Sequence, residues 1–118
     1  MSHETILPDG WKKPVGYSNG VLAAKGRTLF LGGQVAFDAD ANVVCHGDIV
    51  GQVRKVLENL KAVVETAGGR VTDICKLTVF VDDKDDYRKK GREIGAAWIE
   101  VFGKHFPAMT LVEISQFY

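Results

Sequence analysis

The chain has 118 residues and a mass of 12.9 kDa, enough for one domain but not for two. Hydrophobic residues make up 46% and charged residues 25%, which is typical of a globular protein and excludes the disordered and fibrous classes. Fifteen basic residues balance fifteen acidic ones, so no net positive field favours nucleic acid as a partner. We therefore expect a single domain over residues 1–118.

The N-terminal stretch MSHETILPDGWKK lacks an apolar segment of signal-peptide length, and the chain has no apolar run long enough to span a membrane. This predicts a cytoplasmic protein without a membrane anchor. Cys45 and Cys75 show no CxxC spacing, and the three histidines are scattered. We expect reduced thiols and no metal site.

The first half of the chain is rich in turn formers. Pro8, Asp9 and Gly10 predict a tight turn. The segments SNGVLAA (18–24) and TLFLGGQVAF (28–37) flank Lys25-Gly26-Arg27, which predicts a hairpin of two strands. The polar stretch that follows, DADANVVCHGD (38–48), is typical of an exposed loop.

From Ile49 the apolar residues recur at spacings of three and four, which predicts an amphipathic helix up to Ala67. Asp48 is a natural N-cap, because its carboxylate can accept hydrogen bonds from the open amides of the first turn. Gly68 and Gly69 supply a C-terminal cap in which a positive φ costs little.

The second half continues with a strand within VTDICKLTVFVDD (71–83), a helix over residues 85–102 that ends at Gly103, and a strand that follows Pro107. The order strand, strand, helix, strand, helix, strand predicts an α+β, two-layer sandwich with two helices on one face of a four-stranded mixed sheet. Crossovers through a helix favour parallel neighbouring strands.

The predicted strands are apolar on both faces, although two helices can cover only one. Strand alternation places Phe30, Phe80, Met109 and Leu111 on the face away from the helices. A contiguous exposed apolar face is typical of self-association with closed symmetry. The alternative is that these are apolar side chains scattered singly over the surface.

Glu113 shares its strand parity with Met109 and Leu111, so its carboxylate is predicted on the same covered face. A buried carboxylate needs a hydrogen-bonding partner or a ligand. Lys76 or a backbone amide is the structural alternative to a catalytic role.

Several motifs together resemble the Rid family, also called YjgF or L-PSP-endoribonuclease-like. They occur in order over nearly all of residues 17–117: YSNGV (17–21), LFLGGQ (29–34), GDI…Q…VLENLKAVVETAGG (47–69), KLTVFV (76–81) and FPAMTLVEIS (106–115). The resemblance implies a chorismate-mutase-like fold, a homotrimer whose sheets form a central barrel, and small-molecule clefts between subunits.

The resemblance also implies a candidate ligand site, which we carry over residue by residue. Tyr17 matches the tyrosine of the family's YS motif, and Gly33 with Gln34 matches its SGQ motif, in which Gly32 replaces the usual serine. Met109 stands where the family has the arginine of PAR, and a thioether offers no charge. Leu111 and Glu113 follow on the same strand, and the family's glutamate-bearing last strand would come after Tyr118.

The activity that the resemblance implies is cofactor-free hydrolysis of reactive enamines and imines to keto acids and ammonia. Met109 cannot clamp a substrate carboxylate as an arginine does, so we expect an altered substrate class. The alternative, suggested by Met109 and by Gly95 where the family has a helical asparagine, is a non-catalytic trimer that binds a metabolite or a partner enzyme. The one basic run, YRKKGR (87–92), is typical of a solvated helix face rather than a ribonuclease surface.

Overall fold

The computed structural model describes residues 2–116. Its strands are β1 (Glu4–Ile6), β2 (Gly20–Leu22), β3 (Lys76–Val81) and β4 (Ala108–Glu113). Its helices are α1 (Ile49–Thr66), α2 (Lys84–Lys89) and α3 (Gly91–Phe102), and a single 3-10 turn at Val71–Asp73 precedes β3. The chain is thus an α+β protein, as the order of sequence patterns predicts.

Helix α1 begins at the predicted residue and ends at Thr66, one residue before the predicted end. The Asp48 carboxylate accepts a hydrogen bond from the Gly51 amide at 3.1 Å, which satisfies one open donor of the first turn. After the last helical residue, Gly68 takes a φ of +89°, and its amide donates to the carbonyl of Glu65. A Cβ atom at Gly69 would lie 3.1 Å from a methyl carbon of Val64, so glycine at this position favours close packing.

The core lies between the helices and the β3–β4 pair. It contains large side chains of α1 and α3 together with Ile74, and the buried set is Leu57, Leu60, Val64, Ile74, Trp98 and Phe102. Trp98 stacks on Phe106 and meets Phe102 edge to face. Its indole N–H donates to the carbonyl of His105 at 2.8 Å. The loop after α3 is thereby fixed to the core, and it aims β4 back along β3.

The strands form two separate pairs. β3 and β4 are parallel, as expected for a helical crossover, with Leu77 beside Met109 and Val79 beside Leu111. β1 pairs antiparallel with β2, a partner that the sequence patterns do not reveal. A single parallel bridge between Ser18 and Ala108 brings the β1–β2 hairpin to the start of β4.

Two predicted elements differ from the structure. The hairpin around Lys25-Gly26-Arg27 is wrong, because residues 28–35 are extended but pair with no strand in the described chain. The single helix predicted over 85–102 is divided at Lys90 into α2 and α3. The Lys90 amide donates to the Asp86 carbonyl at the end of α2, and the Lys90 carbonyl accepts from the Ile94 amide at the start of α3. Gly91 immediately follows, and its low helix propensity is a physical reason for the division.

The parity predicted for β4 is also wrong. Phe30 and Phe80 are exposed as predicted, with 90% and 52% of their surfaces accessible. Met109 and Leu111, however, lie beside Leu77 and Val79, and Met109 packs against the core cluster. Val112 takes the outward position beside Phe80. The alternation in MTLVEI is ambiguous, since both sets of alternate positions carry apolar side chains.

Candidate functional site

The YS motif is attached to the FPAM motif through Ser18. The Ser18 amide donates to the Pro107 carbonyl at 3.0 Å, and its hydroxyl donates to the Phe106 carbonyl at 2.5 Å. Pro107 is fully buried, so this attachment point is rigid. Tyr17 is consequently held near the start of β4, with its side chain partly exposed. Two motifs that are about 90 residues apart in the sequence form one local structure.

Met109 follows Ala108 on β4 and faces the helical layer. Its side chain is half-buried against the core cluster, in register with Leu77. Leu111, two residues further on, has the same orientation beside Val79. These two candidates therefore supply apolar surface rather than a polar or charged contact.

Glu113 lies at the end of β4 and has a structural partner. Its carboxylate accepts a hydrogen bond from the Lys84 amide at 3.0 Å, where α2 begins. Of the two alternatives in the sequence, the backbone amide is therefore the partner, because the Lys76 ammonium instead donates to the Thr110 hydroxyl at 2.8 Å. Glu113 is exposed, and its second oxygen remains free to accept a further bond.

The GGQ motif lies in the unpaired extended segment. Gly32 and Gly33 have open space where a side chain would stand, and neither has a positive φ. The fold of this chain alone therefore does not require glycine at either position. The Gln34 amide donates to the Gly32 carbonyl at 3.3 Å, and Gln34 is half-buried. The absence of side chains leaves the backbone of this segment open to close approach by another molecule.

The candidate residues thus form two groups within the chain. One group lies on or beside β4 and consists of Tyr17, Met109, Leu111 and Glu113. The other group lines an open cleft in front of β3 and α1 and consists of Gly32, Gly33 and Gln34. Leu31 and Met109 pack against the same core cluster, so the two groups reach one core from different segments. Sequence reasoning missed Ser18, although the family's YS motif names that position.

The best-defined polar cluster lies beside the 3-10 turn, at one end of the cleft. Asp73 accepts hydrogen bonds from the Arg70 amide at 2.9 Å and from His3 Nε2 at 3.2 Å. The amide of Arg70, followed by His3, lowers the pKa of the Asp73 carboxyl. Nδ1 of the same His3 accepts from the Ala24 amide at 2.9 Å, which assigns the proton to Nε2.

Neither a metal nor a thiol reaction is suggested by the side chains of the described residues. No three metal-binding side chains come together within residues 2–116. Partial burial, reinforced by the charge of Asp73, raises the pKa of the Cys75 thiol, which opposes a reactive thiolate. Residues 2–116 also contain no helix of the length and apolarity needed to cross a membrane.

Comparison with known proteins decides the family. The model of the endoribonuclease L-PSP family matches residues 12–117. The chain belongs to the L-PSP family. A RutC family protein of Pyrococcus horikoshii is 38% identical, and the match covers 96% of this chain and 86% of that protein. The family predicted from the YSNGV, GGQ and FPAM motifs is confirmed.

Solved structures confirm the fold of this L-PSP family chain. YyfB of Yersinia pestis, a protein of unknown function of the conserved Rid family, superposes with a TM-score of 0.86 at 28% identity. That match covers 99% of this chain and 89% of YyfB. The YjgF gene product of E. coli superposes with a TM-score of 0.66 at 32% identity, covering 97% and 87%.

Proposed function

We propose that this protein is a cofactor-free enamine/imine hydrolase of the Rid type that acts on uncharged, apolar substrates. The observation that carries the proposal is the attachment of Tyr17 to the start of β4 through Ser18, next to Met109. The family match across residues 12–117 supports the reaction class. The side chain at position 109 decides the class of substrate.

The proposed reaction adds water to a carbon–nitrogen double bond. The water oxygen bonds to the imine carbon, a proton passes to the nitrogen, and collapse of the resulting carbinolamine releases ammonia and leaves a carbonyl group. The hydroxyl of Tyr17 and the amide of Gln34 are donors suited to hold the nitrogen and the water. The free oxygen of Glu113 is an acceptor for the attacking water.

An uncharged substrate follows from the chemistry of β4. An arginine would bind a substrate carboxylate through a bidentate, charge-assisted pair, which a thioether cannot form. Loss of such a contact costs about 1.5–3 kcal/mol per hydrogen bond. Met109 and Leu111 instead offer polarizable and aliphatic surface to an apolar substituent.

A homotrimer forms part of the proposal. Phe80 and Val112 are neighbours on the sheet face away from the helices, and both are exposed in the protomer. Covering this face with sister molecules removes the apolar surface from water. Symmetric packing would also bring the GGQ segment of one protomer near β4 of the next, which unites the two groups of candidate residues.

The test of this proposal compares the hydrolysis of two imines that are generated enzymatically in situ. A dehydratase generates 2-iminopropionate, and an amine oxidase generates the imine of an uncharged ketone. We expect the protein to accelerate ammonia and ketone release from the uncharged imine and to leave the rate of pyruvate formation unchanged. Tyr17→Phe should lower the acceleration, whereas Tyr87→Phe, on the partly buried tyrosine of α2, should not.

The rate of the uncatalysed reaction is the reference. If tens of micromolar protein leaves hydrolysis of both imines at the rate seen in buffer, the hydrolase proposal is wrong. Faster hydrolysis of 2-iminopropionate than of the uncharged imine would refute the substrate class while retaining the reaction.

A non-catalytic trimer that binds a metabolite or a partner enzyme is the second candidate. It is favoured by the structural roles of Met109, which packs on the core, and Glu113, which holds the Lys84 amide. A ligand that binds only the folded state raises the melting temperature by mass action. A thermal-shift assay therefore compares keto acids with apolar uncharged metabolites. A melting temperature that rises without any hydrolysis would favour the non-catalytic trimer over the hydrolase.

A further inference from the structure

One side chain of α1 holds the end of the segment that carries the GGQ motif. The amide nitrogen of Asn59 donates to the Val35 carbonyl at 3.1 Å and to the Phe37 carbonyl at 3.0 Å. A primary amide has two N–H groups, so both donors of Asn59 are used on this short stretch of backbone. Within residues 2–116, no other side chain of α1 forms a hydrogen bond with residues 28–37. Asn59 is therefore the polar attachment of this segment to the helix.

The backbone that follows is fixed by bonds of its own. Ala36, between the two carbonyls, is buried, and its own carbonyl accepts from the Val44 amide at 2.8 Å. Phe37 forms an antiparallel bridge with Val43. These two pairs close a turn that keeps its shape without Asn59. The hydrogen bonds of Asn59, together with the buried Ala36, instead set how this turn and the residue before it sit on α1.

Gln34 directly precedes the first of these carbonyls. Consecutive Cα atoms are about 3.8 Å apart, so the bond to the Val35 carbonyl limits where the Gln34 side chain can begin. On the other side, Gly32 and Gly33 give the backbone wide conformational freedom. The Gln34 side chain donates to the Gly32 carbonyl at 3.3 Å, a bond within the same glycine stretch. The order of Gln34 therefore comes from its C-terminal side, where Asn59 holds the backbone.

The attachment requires an amide at position 59. Aspartate has nearly the same shape as asparagine, but its carboxylate has no donor and would face two carbonyl oxygens. Asn59 is only half-buried, so a carboxylate there keeps contact with water, and the two residue types have similar helix propensities. Asn59→Asp therefore breaks both hydrogen bonds without removing bulk from α1. Asn59→Ser is the milder change, because a hydroxyl retains one donor on a shorter side chain.

We propose that Asn59 is a positioning residue of the candidate site: its amide holds the Val35 carbonyl and thereby keeps the Gln34 side chain in place for the substrate. Asn59 itself does not touch the substrate. The inference rests on the proposed imine hydrolysis, in which the Gln34 amide is a donor to the nitrogen or the water. Misplacement of a catalytic group by about 1 Å costs on the order of a hundredfold in rate, so a small shift of Gln34 should be measurable.

Kinetics on the uncharged imine separate positioning from folding. Asn59→Asp should lower kcat about tenfold or more and change KM less than about twofold, because the displaced donor acts in the transition state. Asn42→Asp makes the same change in the loop before α1, where the asparagine side chain forms no hydrogen bond with a described residue. It should leave both constants unchanged. If Asn59→Asp fails to fold, Asn59→Ser replaces it, with an expected loss in kcat of about three- to tenfold.

A double-mutant cycle shows whether Asn59 acts through Gln34. In the Gln34→Ala background, Asn59→Asp should have no further effect on the remaining kcat, since the group that it positions is gone. Effects of the two substitutions that multiply independently would overturn the proposal. Asn59 would then support the stability of the chain or another part of the site.

Nuclear magnetic resonance tests the same contact without any need for activity. In the ¹⁵N-labelled protein, Asn59→Asp should shift or broaden the side-chain amide signals of Gln34 and the backbone amides of Gly32 and Gly33. The amide of Gly68, after the far end of α1, should not change. Unchanged Gln34 signals would overturn the proposal. A parent protein without hydrolysis would instead refute the proposed function, and the Gln34 signals would still decide whether Asn59 holds this side chain.

Discussion

Met109 lies directly beside Leu77 in the parallel ladder of β3 and β4, and both side chains pack towards the core between sheet and helices. The residue that replaces the family's arginine is therefore a structural neighbour of the core as well as a candidate ligand contact. Truncation of Met109 should therefore lower stability more than truncation of an outward-facing residue of the same strand.

Met109→Ala should lower the free energy of unfolding by about 1–3 kcal/mol, at the low end for a core methionine because the side chain is only half-buried. Thr110→Ala, on the outward side of the same strand, should cost less than about 1 kcal/mol. Urea unfolding measures both variants. Equal costs would contradict the register of Met109 beside Leu77.

Ser18→Ala removes the hydroxyl that donates to the Phe106 carbonyl. The expected cost is about 0.5–1.5 kcal/mol, and it should be accompanied by a loss of ligand binding or hydrolysis as Tyr17 becomes less ordered. Ser115→Ala, an exposed serine beyond β4, is the control and should change neither quantity. If Ser18→Ala changes neither stability nor activity, the Ser18 hydroxyl does not hold the YS and FPAM motifs together.

Asp48→Ala removes the N-cap of α1 and should cost about 0.5–2 kcal/mol, because the Gly51 amide loses its acceptor. Asp40→Ala is a matched change in the preceding loop, where the carboxylate accepts no hydrogen bond from described residues, and it should be nearly neutral. Thermal unfolding compares the two. A larger loss for Asp40→Ala would place the start of α1 elsewhere.

The hydrogen bonds to Asp73 make stability dependent on acid pH. Because the Arg70 amide and His3 lower the pKa of Asp73 in the folded state, the unfolded chain takes up this proton first as the pH falls. The stabilisation is therefore complete above the ordinary carboxyl range, near about pH 4, and is lost as pH falls through the lower folded pKa.

Asp73→Asn should accordingly be less stable than the parent at neutral pH, and the difference should shrink as the pH falls below about 4. Asp9→Asn, in the exposed N-terminal turn, should show no such convergence. Urea midpoints measured at a series of pH values give the comparison. A constant difference across the acid range would refute this role for Asp73.

Local signals identify α1 well, since its apolar period, its Asp48 cap and its Gly68 terminus all agree with the structure. Which strands pair, and which face of a strand packs on the core, is harder to predict. Residues 28–35 have the composition of a strand, yet no other strand of the described chain pairs with them. In β4 both sets of alternate residues are apolar, so only the register against Leu77 decides that Met109 faces inwards.

The candidate site is predictable only in part for the same reason. The motifs indicate that Tyr17, Gly33 and Gln34 belong to one functional site. The spacing of residues in the sequence does not predict where these three lie in the fold. Their arrangement depends on hydrogen bonds between distant segments, such as Ser18 to Phe106 and Glu113 to Lys84. Neither bond has a signal in the spacing of residues.

In the proposed trimer, sister molecules cover the outward face of β3 and β4 and so complete the site. Two valines test whether this face is covered, because Val112 on this face and Val63 on α1 are each 39% exposed in the single chain. Sedimentation equilibrium at micromolar concentration should give three times 12.9 kDa for the parent and for Val63→Asp, and a smaller species for Val112→Asp. A parent chain that sediments as a compact monomer would contradict the claim.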